Sequence, residues 1–151
     1  DVKDDGSFRL NFDYFGYLTG GGMTNDRFAD LFGGPARQAE SKITKREMDL
    51  AASIQVVTEE IVHKIAAHLK DRTGAKNLCL AGGVALNCVS NGRLVREGPF
   101  REIWIQPAAG DNGIALGCAY YGYLKLLDKP RPEKMRITHA YFGKPYTDAE
   151  V

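Results

Sequence analysis

Leu78-Cys-Leu-Ala-Gly-Gly-Val-Ala-Leu-Asn87 is the stretch that decides how this chain is read. Residues 78–81 are an apolar run of strand length, stopped by Gly82-Gly83 and followed by a helical pattern to about Glu97. The same order returns at once. Glu102-Ile-Trp-Ile-Gln106 reads as a second strand, Gly110-Asp-Asn-Gly113 as a second glycine turn, and the residues to about Leu127 as a second helix. Strand, glycine turn and helix, used twice, predict a parallel α/β layer. Ala115, Gly117 and Ala119 are small enough for the last helix to approach its neighbours closely. Pro130 and Pro132 end it, and residues 129–151 read as an exit linker.

Upstream lies a long amphipathic helix. Thr44-x-x-Glu47 has the form of a capping box. Leu50, Ile54, Val57, Ile61, Ile65 and Leu69 then recur at three- and four-residue spacing, which places them in one apolar stripe. Gly74 supplies a stop, so a helix is expected over 45–72. Before it, Ser7 to Asp13 alternates, with Phe8, Leu10 and Phe12 on one side, and predicts a half-buried strand after an Asp5-Gly6 turn. Gly20 to Gly22 reads as a joint, Met23 to Phe32 as a short helix ended by Gly33-Gly34-Pro35, and the residues to about Lys42 as a polar loop.

Composition narrows the function classes. The 151 residues are 44 % hydrophobic and 26 % charged, as in an ordinary globular protein. Twenty basic and nineteen acidic residues leave a net charge of +1, which argues against a nucleic-acid or membrane surface. No apolar run approaches the ~20 residues that span a bilayer. Cys79, Cys88 and Cys118 lie far apart without a Cys-x-x-Cys spacing, which excludes a local zinc knuckle and a thioredoxin motif. They are expected to be buried free thiols in a reducing compartment, and the chain to be cytoplasmic. It begins without Met or a leader pattern, and both ends read as cuts.

Three places can carry chemistry. Gly82-Gly83 lets backbone approach a ligand at a helix start, an arrangement that suits phosphate, although a plain tight turn is the equal alternative. It is neither a Walker loop nor a G-x-G-x-x-G fingerprint. Asn87 can orient a nucleotide or substrate through its amide, or it can be a solvent-facing or capping residue. Asp111 can ligate a metal, orient a ligand or serve as an N-cap, the commoner role of an aspartate. Both turns follow successive strands of one proposed sheet, where open α/β sheets bind ligands, so they are expected to share a cleft. His63 and His68 diverge by about 140° on the helix and make no chelating pair. His139 has no apparent partner.

Several segments resemble the O-carbamoyltransferases, the family of nodulation-factor and antibiotic-tailoring enzymes, the cephalosporin type included. They are Asp5-Gly-Ser-Phe-Arg-Leu-Asn11, Met23-Thr-Asn-Asp-Arg-Phe28, Phe32-Gly-Gly-Pro35, Asp49-Leu-Ala-Ala-Ser-Ile-Gln55, Leu80 to Asn87, Glu97-Gly-Pro-Phe100 and Ile105-Gln-Pro-Ala-Ala-Gly-Asp111. The Tyr141-Phe-Gly143 segment resembles the family's junction toward its C-terminal domain. The resemblance implies an actin/Hsp70/sugar-kinase-like (ribonuclease H-like) fold over 1–128, shared with the tRNA threonylcarbamoyladenosine synthesis proteins. It implies ATP as a substrate, with Gly82 and Gly83 beside its phosphate and Asn87 on the nucleotide or carbamoyl-adenylate. Asp111 is then implied to ligate iron or another divalent metal. The reaction so implied moves a carbamoyl group from carbamoyl phosphate to a hydroxyl acceptor. The family's His-x-x-x-His pair does not occur here. The rest of the site is therefore expected on a missing N-terminal half, beside a missing C-terminal domain, and the fragment alone is expected to be inactive. A non-catalytic nucleotide-binding module and an ATPase or phosphotransferase of the same superfamily are the alternatives.

Overall fold

The computed structural model describes residues 1–18, 20, 22–132 and 143–150. The chain divides into two compact units, Asp1–Gly74 with Glu97–Pro99, and Ala75–Arg96 with Phe100–Val151.

In the first unit the expected strand at 7–13 does not form. Gly6, at φ +81°, turns the chain so that Val2 and Phe8 make a single antiparallel bridge. The Lys3 N–H donates to the Ser7 carbonyl at 2.8 Å, and the Arg9 N–H to that of Asp1 at 3.0 Å. Asn11 then accepts from the Asp13 N–H and starts a 3₁₀ turn, Phe12–Tyr14. Alternation alone cannot make a strand without a neighbour to pair with, and Phe8, Leu10 and Phe12 are exposed. Helix α1, Asp26–Leu31, starts later than expected because Thr24 bridges to Phe15 and Asn25 takes the N-cap, accepting from the Phe28 N–H at 3.2 Å.

Helix α2, Lys45–Thr73, follows the sequence closely. The Glu47 carboxylate accepts from the Thr44 N–H and hydroxyl. These hydrogen bonds, the hydroxyl's first, hold its pKa down at about 2. Gly74 closes the helix in the left-handed region at φ +63°, where a side chain would be strained. Its apolar stripe is not covered as expected: Ile54, Val57, Ile65 and Leu69 remain exposed, and Ala66 is the buried residue of the helix.

The second unit holds strands β1, Asn77–Leu80, and β2, Glu102–Ile105, paired in parallel with Leu78 opposite Ile103 and Leu80 opposite Ile105. Between them run a 3₁₀ turn, Gly83–Leu86, and helix α3, Cys88–Glu97. After β2 come helix α4, Asn112–Tyr121, and one π turn, Gly122–Leu126. The expected α/β order with a small parallel sheet is therefore present. Leu78, Ala85, Leu94, Phe100, Ala108 and Ala109 are its buried apolar residues. Helix α4 buries none, so the small residues Ala115 and Gly117 make no close approach among the described residues. The three cysteines, expected to be buried, are all exposed and free. Cys79 shows why: it alternates with the buried Leu78 on a strand whose other face is not covered. Residues 133–142, with His139 and most of the Tyr141–Gly143 segment, lie outside the described residues.

Candidate functional site

Parallel pairing places the carboxyl ends of β1 and β2 side by side, so the chain leaves both strands at one edge. The ladder continues past the strands. The Gln106 N–H donates to the Leu80 carbonyl at 3.0 Å, and the Gly82 N–H donates to the Ala109 carbonyl at 2.8 Å. That last bond ties the first glycine turn directly to the second. Leu86 adds a side-chain contact, since its Cδ1 lies 3.5 Å from where a Cβ on Gly110 would stand. The two turns expected to converge do so.

Each glycine has its own reason. Gly82 sits at φ +100°, ψ 163°, a conformation that only glycine adopts cheaply. A Cβ built on Gly82 or Gly83 would meet nothing within 4 Å, so the space over both is open. Gly113 is the reverse. A Cβ there would lie 2.2 Å from the Ala108 carbonyl oxygen, so the start of α4 rests on the backbone of the preceding loop. That close approach has no sequence signal beyond the glycine itself.

The helix-start reading of the first turn needs correction. Gly82-Gly83 opens a 3₁₀ turn, and α3 begins only at Cys88. Asn87 caps it, with Oδ1 accepting from the Ser90 N–H at 3.1 Å. The capping alternative for Asn87 is thus realised, and one first-turn donor of α3 is satisfied inside the chain. Asn91 reinforces the turn by donating to the Ala85 carbonyl at 2.7 Å. Ser90, almost fully buried, has a hydroxyl without a hydrogen-bond partner among the described residues.

Asp111 stands at the N-cap position of α4 but in helical conformation, φ −59°, ψ −28°, and its side chain makes no capping bond. It is exposed. The usual structural job of an aspartate at this position is therefore not done by Asp111. Among the described residues no cluster of three His, Cys, Asp or Glu side chains could hold a metal ion. Asp111 offers one ligand, and iron or another divalent metal held there would need its further ligands from outside the described residues. The site is thus an open backbone edge over Gly82 and Gly83, next to a turn that presents an uncommitted carboxylate.

A strand-edge turn pair of this kind is common to many α/β proteins, and comparison with known proteins places the chain in one family. The model of the carbamoyltransferase N-terminus matches residues 1–120. The chain belongs to the carbamoyltransferase family, of the nodulation-protein type. An uncharacterized protein of Synechocystis is 54 % identical over 155 residues, which cover the whole of this chain and 25 % of that protein. Nodulation protein NolNO of Sinorhizobium fredii is 40 % identical over 79 % of this chain and 16 % of its own length. Nodulation protein NolO of Bradyrhizobium diazoefficiens is 36 % identical over 95 % of this chain and 24 % of its own. The chain thus spans a quarter or less of the length of these relatives. No helix among the described residues is long and apolar enough to cross a membrane.

Proposed function

We propose that this chain is one part of a longer O-carbamoyltransferase and supplies the nucleotide side of its active site. The Gly82 N–H to Ala109 carbonyl bond carries this reading, because it brings the open glycine edge and the Asp111 turn together at the end of one parallel sheet. In the proposed reaction, water first cleaves carbamoyl phosphate to carbamate and phosphate, and a carbamate oxygen then attacks the α-phosphate of ATP, giving carbamoyl-adenylate with loss of pyrophosphate. The carbamoyl carbon is then attacked by a hydroxyl of a small-molecule or oligosaccharide acceptor, and AMP leaves. Gly82 and Gly83 admit the phosphates because no side chain occupies the space above them. Asn87 holds the turn in shape by capping α3 beneath it, which makes it a positioning residue. The actin/Hsp70-like fold belongs to the same proposal, with the two-stranded parallel sheet as its visible portion.

The test uses the full-length polypeptide and follows pyrophosphate release from ATP. Release that requires carbamoyl phosphate, and is lost in Gly83→Val, supports the reading. Release without carbamoyl phosphate points to an ATPase. A folded full-length protein that binds ATP without releasing pyrophosphate is a binding module.

A further inference from the structure

The first unit carries a groove that the nucleotide reading does not use. It has a volume of about 810 Å³ and runs between the segment 10–32 and the first half of α2. Met23 and Leu31 stand on one wall, Leu50, Ile54 and Val57 on the other, and every lining residue is uncharged. Met23 is 72 % exposed and Ile54 64 %. Along α2 the groove runs from Leu50 to Val57, about 10 Å of helix at 1.5 Å per residue, and beyond it the Gly6 turn packs on Ile65. No charged group lines the groove to orient a small ligand, whereas a second helix can pack its own apolar residues against Met23, Leu50 and Ile54. Exposed apolar surface of this extent marks an interaction site.

We infer that this groove is the seat of an amphipathic helix from the same polypeptide, outside residues 1–151. The occupant is chosen by length. This chain is a quarter or less of the relatives it matches, so at least three quarters of a protein of that size is there to cover the groove. The uncharged lining fits an intramolecular contact made once on folding, since surfaces that bind and release partners are more polar. The inference rests on the proposal that the chain is part of a longer protein, and not on its transfer chemistry.

Peroxide oxidation of Met23, read by peptide mass spectrometry, tests this without any substitution and without any activity. In the full-length protein Met23 should oxidise about tenfold or more slowly than in the 151-residue chain, because the covered thioether is no longer accessible. Ile54→Lys should lower the midpoint of thermal unfolding of the full-length protein by more than about 5 °C and that of the short chain by less than about 2 °C. Equal oxidation rates in the two lengths would overturn the inference. So would protection that appears in the short chain as its concentration rises, which would identify a second copy as the occupant. Loss of pyrophosphate release with Met23 still protected would count against the transfer reading alone.

Discussion

Two glycines of one helix should respond in opposite directions to the same substitution. Gly113→Ala places a methyl group 2.2 Å from the Ala108 carbonyl oxygen, and that obstacle is backbone, so no side-chain rotation relieves it. A normal contact needs about 1 Å more, which must come from moving the loop or the start of α4. The loop has little room: Ala108 and Ala109 are buried, and the Ala109 carbonyl holds the Gly82 N–H at 2.8 Å. Overpacking of this kind costs about 1–3 kcal/mol, and weakening the inter-turn hydrogen bond adds about 1 kcal/mol. Gly117→Ala, in the middle of α4, meets nothing within 4 Å. There alanine should stabilise by about 0.5–1 kcal/mol through helix propensity alone. Trp104, the one tryptophan of the chain, lies in β2 and reports on the unit that holds both sites. With a urea slope of about 2 kcal/mol per molar, its fluorescence midpoint should fall by about 1–2 M in Gly113→Ala. In Gly117→Ala it should rise by about 0.25–0.5 M. Equal midpoints for the two variants would refute the close approach of α4 to the Ala108 carbonyl, and with it the described shape of the second turn.

Asp111→Asn should leave that urea midpoint almost unchanged, within about 0.5 kcal/mol, since the exposed side chain caps nothing; in the full-length protein it should abolish carbamoyl transfer, and retained transfer would remove Asp111 from the proposed site. Leu94→Ala empties a position that is 0 % exposed and should cost about 2–5 kcal/mol, measured by the same fluorescence. The Glu47 carboxylate predicts a pH dependence for α2. Its pKa is lowered from the ordinary 4.5 to about 2 by bonds to Thr44, so its contribution is complete above about pH 4.5 and is lost as the pH falls through 2. Circular dichroism at 222 nm between pH 5 and 2 should show a loss of helix that Glu47→Gln reduces.

Local chemistry was legible wherever a few adjacent residues settle the conformation. The capping box at Thr44 and Glu47, the stop at Gly74 and the two strand–turn units all stand within one or two residues of the sequence expectation. The strand at 7–13 was not legible, because alternation describes a surface and a strand also needs a partner edge. Burial failed for the same reason. The α2 stripe and the three cysteines have apolar character, but whether they are covered depends on what else folds against them.

The site divides along the same line. Repetition of strand, glycine turn and helix was enough to predict that the turns after β1 and β2 would meet, since parallel strands must end at the same edge. Only tertiary structure shows that the bond joining them uses the Gly82 N–H, that Asn87 is occupied as a cap, and that Asp111 is not. It also shows that Gly113 is there to avoid the Ala108 carbonyl. Turn and cap preferences act over three or four residues and are written in the chain. Which donor reaches which acceptor across a sheet edge depends on the packing of segments some twenty-five residues apart, and exists only once they have come together.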